Sequence, residues 1–102
     1  MQQLNEISYN DLIKSDKLTV IKYFGQRCNP CKVLTPALEG ITKKYPDVNF
    51  GEVDIDQNMS LVQKDGIRGV PAVIFYKNGQ PLDRIVGLRP IQNYVGKIES
   101  LK

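Results

Sequence analysis

Cys28 and Cys31 are the only cysteines in the chain, and they stand three apart in "FGQRCNPCKVLTP", residues 24–36, with Asn29 and Pro30 between them. Two thiols so placed can exchange disulfides as a dithiol, supply half of a metal site, or lie inert in a core. On the first turn of a helix the pair would bring its Cα atoms to about 5–6 Å, a separation that suits a disulfide. A helix starting just after Cys28 would set that thiol against unpaired backbone N–H groups and the positive end of the macrodipole, which favour thiolate. Cys31, one turn in, would be shielded. Arg27 and Lys32 add positive charge beside the two cysteines, and Pro30 falls where a missing N–H costs nothing. The segment is built to expose one thiol and hide the other.

The competing chemistries are weaker. A structural zinc ion takes four ligands, usually Cys and His. This chain has no histidine and no third cysteine, so a zinc site would need carboxylates or a second chain. Two inert thiols at this spacing, between a strand and a helix, would be a coincidence.

The surrounding pattern predicts the elements that hold the pair. "KLTVIKYF" is β-branched, aromatic and almost continuously apolar, as a strand buried on both faces should be, and predicts a central strand over 18–24. From Asn29 to Tyr45, Val33, Leu34, Ala37, Leu38, Ile41 and Tyr45 fall on one helical face, with Pro36 inside the helix as a source of a kink. "LNEI" offers a short opening strand, and Ser8 with Asp11 three residues on predicts a capped helix over about 8–15. "DVNFGEVDID" predicts a strand over about 48–54, and "QNMSLVQKDG" a helix closed by Gly66. "PAVIFYKNGQPLDRIVG" predicts two strands joined by Asn78-Gly79, and "RPIQNYVGKIESLK" a final amphipathic helix. The order βαβαβαββα requires an α/β architecture: a mixed central sheet with helices on both faces.

Composition narrows the partners. At 102 residues the chain is expected to be a single domain, residues 1–102, with one core's worth of apolar residues, 41% against 25% charged. No apolar run approaches the roughly 18 residues of a membrane span, so no membrane association is expected. The net charge of +3 comes from 14 basic and 11 acidic residues spread along the sequence, with no basic block, and nucleic-acid binding is not expected. The opening "MQQLNEISYN" lacks a basic region followed by an apolar one, so the cytoplasm is the expected compartment.

Taken together, "CNPCKVLTPALEGITKKY", "VDIDQN" and "IRGVPAVIFYKNG" resemble the thioredoxin family over nearly the whole chain. The resemblance implies a thioredoxin fold and a thiol-disulfide oxidoreductase acting on protein disulfides. It casts Cys28 as the attacking thiolate, Cys31 as the resolving thiol and Pro71 as the family's cis-proline. Val70 would present backbone groups to a bound substrate strand. Gly69, Val70, Gly87 and Leu88 would form an apolar docking rim, with Arg27, Asn29 and Pro30 on the substrate side of the site. No metal or organic cofactor is implied beyond the redox-active cysteine pair. A reductase protein of the thioredoxin-reductase kind, or a small thiol, would supply electrons to a monomer.

Three departures from the family pattern shape what to expect. Arg27 stands where the family usually has tryptophan, and the chain has no tryptophan at all. Asn29 replaces a glycine, in the dipeptide that tunes the reduction potential. Lys22 interrupts "TVIKYF" where the family has a buried aspartate, and Glu52 occupies the position of that aspartate's lysine partner. A reversed Lys22–Glu52 pair beneath the active site is therefore expected, with Glu52 moving the proton of Cys31. The alternatives are that Lys22 snorkels to solvent beside a solvated Glu52, that the chain is a binding module with a dispensable dithiol, or that it is a more oxidising isomerase.

Overall fold

The central strand owes its nearly continuous apolar character, interrupted at Lys22, to two cores, one on each face of the sheet. In the computed structural model, which describes residues 1–102, the elements run β1 (Gln2–Gln3), α1 (Glu6–Ile13), β2 (Thr19–Phe24), α2 (Asn29–Lys44), β3 (Asn49–Asp54), α3 (Met59–Lys64), β4 (Ala72–Lys77), β5 (Gln80–Val86) and α4 (Ile91–Leu101). The sheet order is β1-β3-β2-β4-β5. β1, β3 and β2 are parallel, β4 lies antiparallel to β2, and β5 antiparallel to β4.

Successive β2 side chains point to opposite faces. Val20 joins Leu34, Leu38 and Ile41 of α2 and Tyr94 and Ile98 of α4 in one core. Ile21 and Tyr23 join Tyr9 and Ile13 of α1 and Leu61 of α3 in the other. The α/β thioredoxin architecture βαβαβαββα, with a mixed sheet and helices on both faces, is the one observed.

Local chemistry places the turns. Asn78 and Gly79 both have positive φ, 55° and 80°, as a two-residue hairpin turn with the strands' own twist requires. The turn also docks: Asn78 N–H donates to the Ser15 carbonyl and Gly79 N–H to that of Ile13, at 2.9 and 2.7 Å. Gly66, at φ 62°, lies two residues beyond α3.

Three boundaries differ from expectation. The first helix starts at Glu6, capped by Asn5, and Ser8 is the third helical residue of a reciprocal capping box instead of its N-cap. Both residues are good caps, and Asn5 prevails because Leu4 is drawn into the core at 5% exposure, which sets where the helix begins. The opening strand is Gln2–Gln3, before "LNEI". The third helix has only six residues, because Asp54 and the turn after it hold the chain non-helical to Asn58.

A polar cluster fastens the end of α3 to the sheet. Tyr9, Tyr23 and Tyr76, all buried, donate their hydroxyls to the same oxygen, Oδ2 of Asp65; the Tyr9 and Tyr76 bonds are 2.8 and 2.7 Å. Burial first, and the Asp65 carboxylate second, push the Tyr23 phenol well above its ordinary value, and burial does the same for Tyr9 and Tyr76. Arg84 Nη2 donates to the Asp65 carbonyl at 2.8 Å. The chain from Asp65 to Pro71 therefore starts from a fixed point.

Candidate active site

β2 ends at Phe24, and Gly25, Gln26 and Arg27 carry the chain to Cys28, the N-cap of α2. Cys28 Sγ accepts the Cys31 N–H at 3.1 Å, so one of the helix's unpaired donors points at the outer sulfur. The two cysteines are joined as a disulfide, with Cα atoms 5.2 Å apart. Cys28 is partly exposed, whereas Cys31 is 2% exposed. Cys28 is thus the sulfur open to solvent and Cys31 the shielded one, the exposure pattern expected from the helix position. Pro30 lies in the first turn of α2 and Asn29 and Arg27 flank Cys28, all three exposed.

A loop from the other side closes over the outer sulfur. The Val70 carbonyl oxygen lies 3.6 Å from Cys28 Sγ, and the Val70–Pro71 peptide bond is cis. Pro71 is buried, and its carbonyl accepts the Gly87 N–H at 2.8 Å, which brings the loop after β5 to the same place. Gly87 has φ 85°, a conformation that favours glycine, and Leu88 beside it is 43% exposed. Gly69, exposed, precedes Val70. A cleft of about 560 Å³ opens beside Cys28, with Arg27, Ile55, Asp56 and Val70 in its wall. All residues expected at the docking rim are thus carried by these converging loops.

Behind the disulfide, Lys22 and Glu52 form the expected reversed pair. They are register partners on neighbouring parallel strands, so their side chains leave the sheet on the same face. Lys22 Nζ lies 3.3 Å from Glu52 Oε1, and Lys22 is only 1% exposed. Snorkelling to solvent is thereby excluded. Lys22 Nζ also donates to Thr35 Oγ1 and lies 5.2 Å from the centre of the Phe24 ring. Thr35 Oγ1 in turn donates to the Cys31 carbonyl at 2.9 Å. A second cleft, of about 390 Å³, has Gln3, Lys22, Cys31, Thr35 and Glu52 in its wall, so the buried cysteine and the carboxylate face one space.

Sequence reasoning missed Thr35 and the Gln26–Asp54 contact. Thr35 is four residues after Cys31 on the same helical face, a signal that spacing alone carries. Gln26 Nε2 donates to Asp54 Oδ2 at 2.9 Å, tying the loop before Cys28 to the end of β3. No spacing rule finds that bond, because its partners are distant in sequence.

The comparisons with known proteins agree with this geometry. The thioredoxin family model matches residues 1–100. The chain belongs to the thioredoxin family. Thioredoxin-1 of Schizosaccharomyces pombe is 33% identical over 91 residues, 88% of each chain. Thioredoxin-2 of Saccharomyces cerevisiae is 37% identical over 90 residues, 86% of each. The X-ray structure of Fasciola hepatica thioredoxin superposes with a TM-score of 0.94 at 30% identity, covering 100% of both chains. This thioredoxin-family protein is a thiol-disulfide oxidoreductase whose redox centre is the Cys28–Cys31 pair. No helix is long and apolar enough to cross a membrane.

Proposed function

We propose that this single-domain protein reduces protein disulfides in the cytoplasm, with Cys28 as nucleophile, Cys31 as resolving thiol and Glu52 as the group that takes the Cys31 proton. In the reduced protein the Cys28 thiolate attacks one sulfur of a substrate disulfide. A bond forms between Cys28 Sγ and that sulfur, and the other substrate sulfur leaves as a thiolate. Cys31 then gives its proton to Glu52 through the shared cleft, and its thiolate attacks Cys28 Sγ. The second substrate sulfur departs, two electrons have passed to the substrate, and the Cys28–Cys31 disulfide remains. A reductase protein of the thioredoxin-reductase kind, or a small thiol, returns the two electrons.

The observation that carries this reading is the asymmetry of the pair: an open sulfur at a helix N-cap, and a buried one facing a cleft that also holds Glu52. Lys22 holds the carboxylate in place. Val70 and Pro71 offer backbone to a substrate strand, with Gly69, Gly87 and Leu88 as its apolar rim and Asn29 and Pro30 beside it. Because Lys22 and Glu52 compensate each other, the charge that raises the potential relative to a thioredoxin with tryptophan before its first cysteine is that of Arg27. An exposed charge contact of this kind moves the couple by only about 10–20 mV, and Asn29 between the cysteines is the other change that tunes it.

The test is a substrate trap. Cys31→Ser accumulates a mixed disulfide on Cys28, Cys28→Ser forms none, and Glu52→Gln slows resolution. A Glu52→Gln protein that resolves mixed disulfides at the parent rate removes Glu52 from the mechanism. A potential well above that of the glutathione pool, measured in glutathione buffers by thiol trapping and mass, would make the protein an isomerase or oxidant instead.

A further inference from the structure

Cys28 emerges where three loops meet, and each loop carries an arginine. Arg27 precedes Cys28 and lines the cleft beside it. Arg68 stands two residues before Val70, whose carbonyl oxygen touches Cys28 Sγ. Arg89 belongs to the loop that Gly87 ties to Pro71. Its guanidinium folds back over that loop: Nε donates to the Val86 carbonyl at 3.2 Å, and Nη2 would lie 3.9 Å from a Cβ placed on Gly87.

All three arginines are exposed. None has an internal carboxylate: the chain's salt bridges are Met1–Glu39, Lys22–Glu52, Lys97–Asp83 and Lys102–Asp47. Lys32, exposed and next to Cys31, adds a fourth cation with no ion pair. Two acids oppose them. Asp56 is exposed in the cleft wall, and Asp54 is 7% exposed with its oxygens engaged by Gln26 Nε2 and the Asp56 N–H.

Arg27 lines the cleft beside Cys28, and Arg68 and Arg89 stand two residues from Val70 and Gly87 on the loops that border it, so a protein that docks on Cys28 approaches all three. An apolar or basic partner would strip water from them without replacement or meet like charge, and either costs affinity. Carboxylates replace that water with charge-assisted, bidentate hydrogen bonds that arginine is shaped to make. Ile55 and Val70 in the cleft wall and the exposed Leu88 add apolar contact on the same loops, so the surface fits a mixed, acidic epitope. Nucleic acid would satisfy the charges but offers no disulfide to Cys28. We infer that the preferred substrates are protein disulfides flanked by acidic residues, with Arg27, Arg68 and Arg89 reading the flanking carboxylates. The inference rests on Cys28 as the attacking sulfur.

The experiment compares three disulfide-linked peptides, identical except that the residues flanking the disulfide are Asp, Gln or Lys, by kcat/KM in the reduced protein. At low salt the Asp peptide is expected to exceed the Lys peptide about tenfold, with Gln between, and the ratio to shrink to about twofold in roughly 0.5 M salt. Arg68→Glu/Arg89→Glu is expected to abolish or invert the Asp-to-Lys ratio. A ratio between substrates cancels any general loss of activity or folding. Equal turnover of the three peptides at low salt, or an unchanged ratio in the variant, overturns the inference and leaves the oxidoreductase intact. Faster turnover of oxidised glutathione than of the Asp peptide overturns it in favour of a small anionic disulfide. Failure to reduce any of them removes the Cys28 reading as well.

Discussion

Replacing Glu52 by leucine should unfold the protein far more readily than replacing Lys22 and Glu52 together. Lys22 Nζ and Glu52 Oε1 are 3.3 Å apart, with the Lys22 side chain 2% and the Glu52 side chain 13% exposed. Coulomb attraction at that distance is about 5 kcal/mol at an effective dielectric of about 20. In Glu52→Leu the ammonium keeps only Thr35 and the face of Phe24, and breaking a buried pair from one side costs about 3–5 kcal/mol. Lys22→Met costs less, about 1–2 kcal/mol, because the stranded carboxylate borders an open cleft and can hydrate there. In Lys22→Met/Glu52→Leu two apolar side chains face each other on adjacent strands, a replacement that is often neutral or stabilising. The coupling from the double-mutant cycle should therefore be about 3 kcal/mol or more. Urea unfolding measures it: with a slope of about 2 kcal/mol per molar, Glu52→Leu shifts the midpoint down by about 1.5–2.5 M and the double variant by much less. Additive single-variant costs, within about 0.5 kcal/mol, would refute the claim that these groups form one buried pair.

Other outcomes follow from the same structure. Asp65→Ala should cost about 2–4 kcal/mol by urea unfolding, since it removes the shared acceptor of three buried phenols and leaves only Tyr76 Oη at 3.1 Å for Tyr9 and the Leu61 carbonyl at 3.4 Å for Tyr23, while Asp65→Asn, which keeps an acceptor oxygen, should cost about half as much. The raised phenols of Tyr9, Tyr23 and Tyr76 make the folded protein hold protons that the unfolded chain releases above about pH 10. Their stabilisation is complete below that pH and declines above it by about 1.4 kcal/mol per pH unit for each phenol, so Tyr76→Phe should flatten the alkaline stability curve by that slope. Arg27→Trp should lower the reduction potential by about 10–20 mV, the equivalent of an exposed charge contact of about 0.5–1 kcal/mol in a two-electron couple; a rise would show that Arg27 does not favour the thiolate.

Much of the site was legible because its determinants are local. A cysteine before the first turn of a helix, a second at i+3 and a proline between them define the redox geometry within four residues, and the structure returns it with Cys28 as the N-cap. Asn78-Gly79 specified the hairpin in the same way, since few other dipeptides accept positive φ twice. The Lys22–Glu52 pair was legible at one remove: a charge inside an apolar strand demands a partner, and the family pattern pointed to the next parallel strand. The N-cap of α1 is not decided locally, because Asn5 and Ser8 both qualify, and only the burial of Leu4 decides between them.

By itself, then, the sequence determined the elements, their order, the two-faced burial of β2 and the identity of the reactive pair, because these follow from periodicity and from bonds spanning a few residues. Tertiary structure alone decided which polar groups meet. Asp65 gathers phenols from a helix and two strands, Arg89 turns back onto a loop that touches Pro71, and Thr35 joins Lys22 to the Cys31 carbonyl. Each contact depends on the rotation and register of elements packed across the core. Hydrophobic burial supplies the energy that sets those rotations but carries no direction of its own, so the polar partners are known only once the packing is complete.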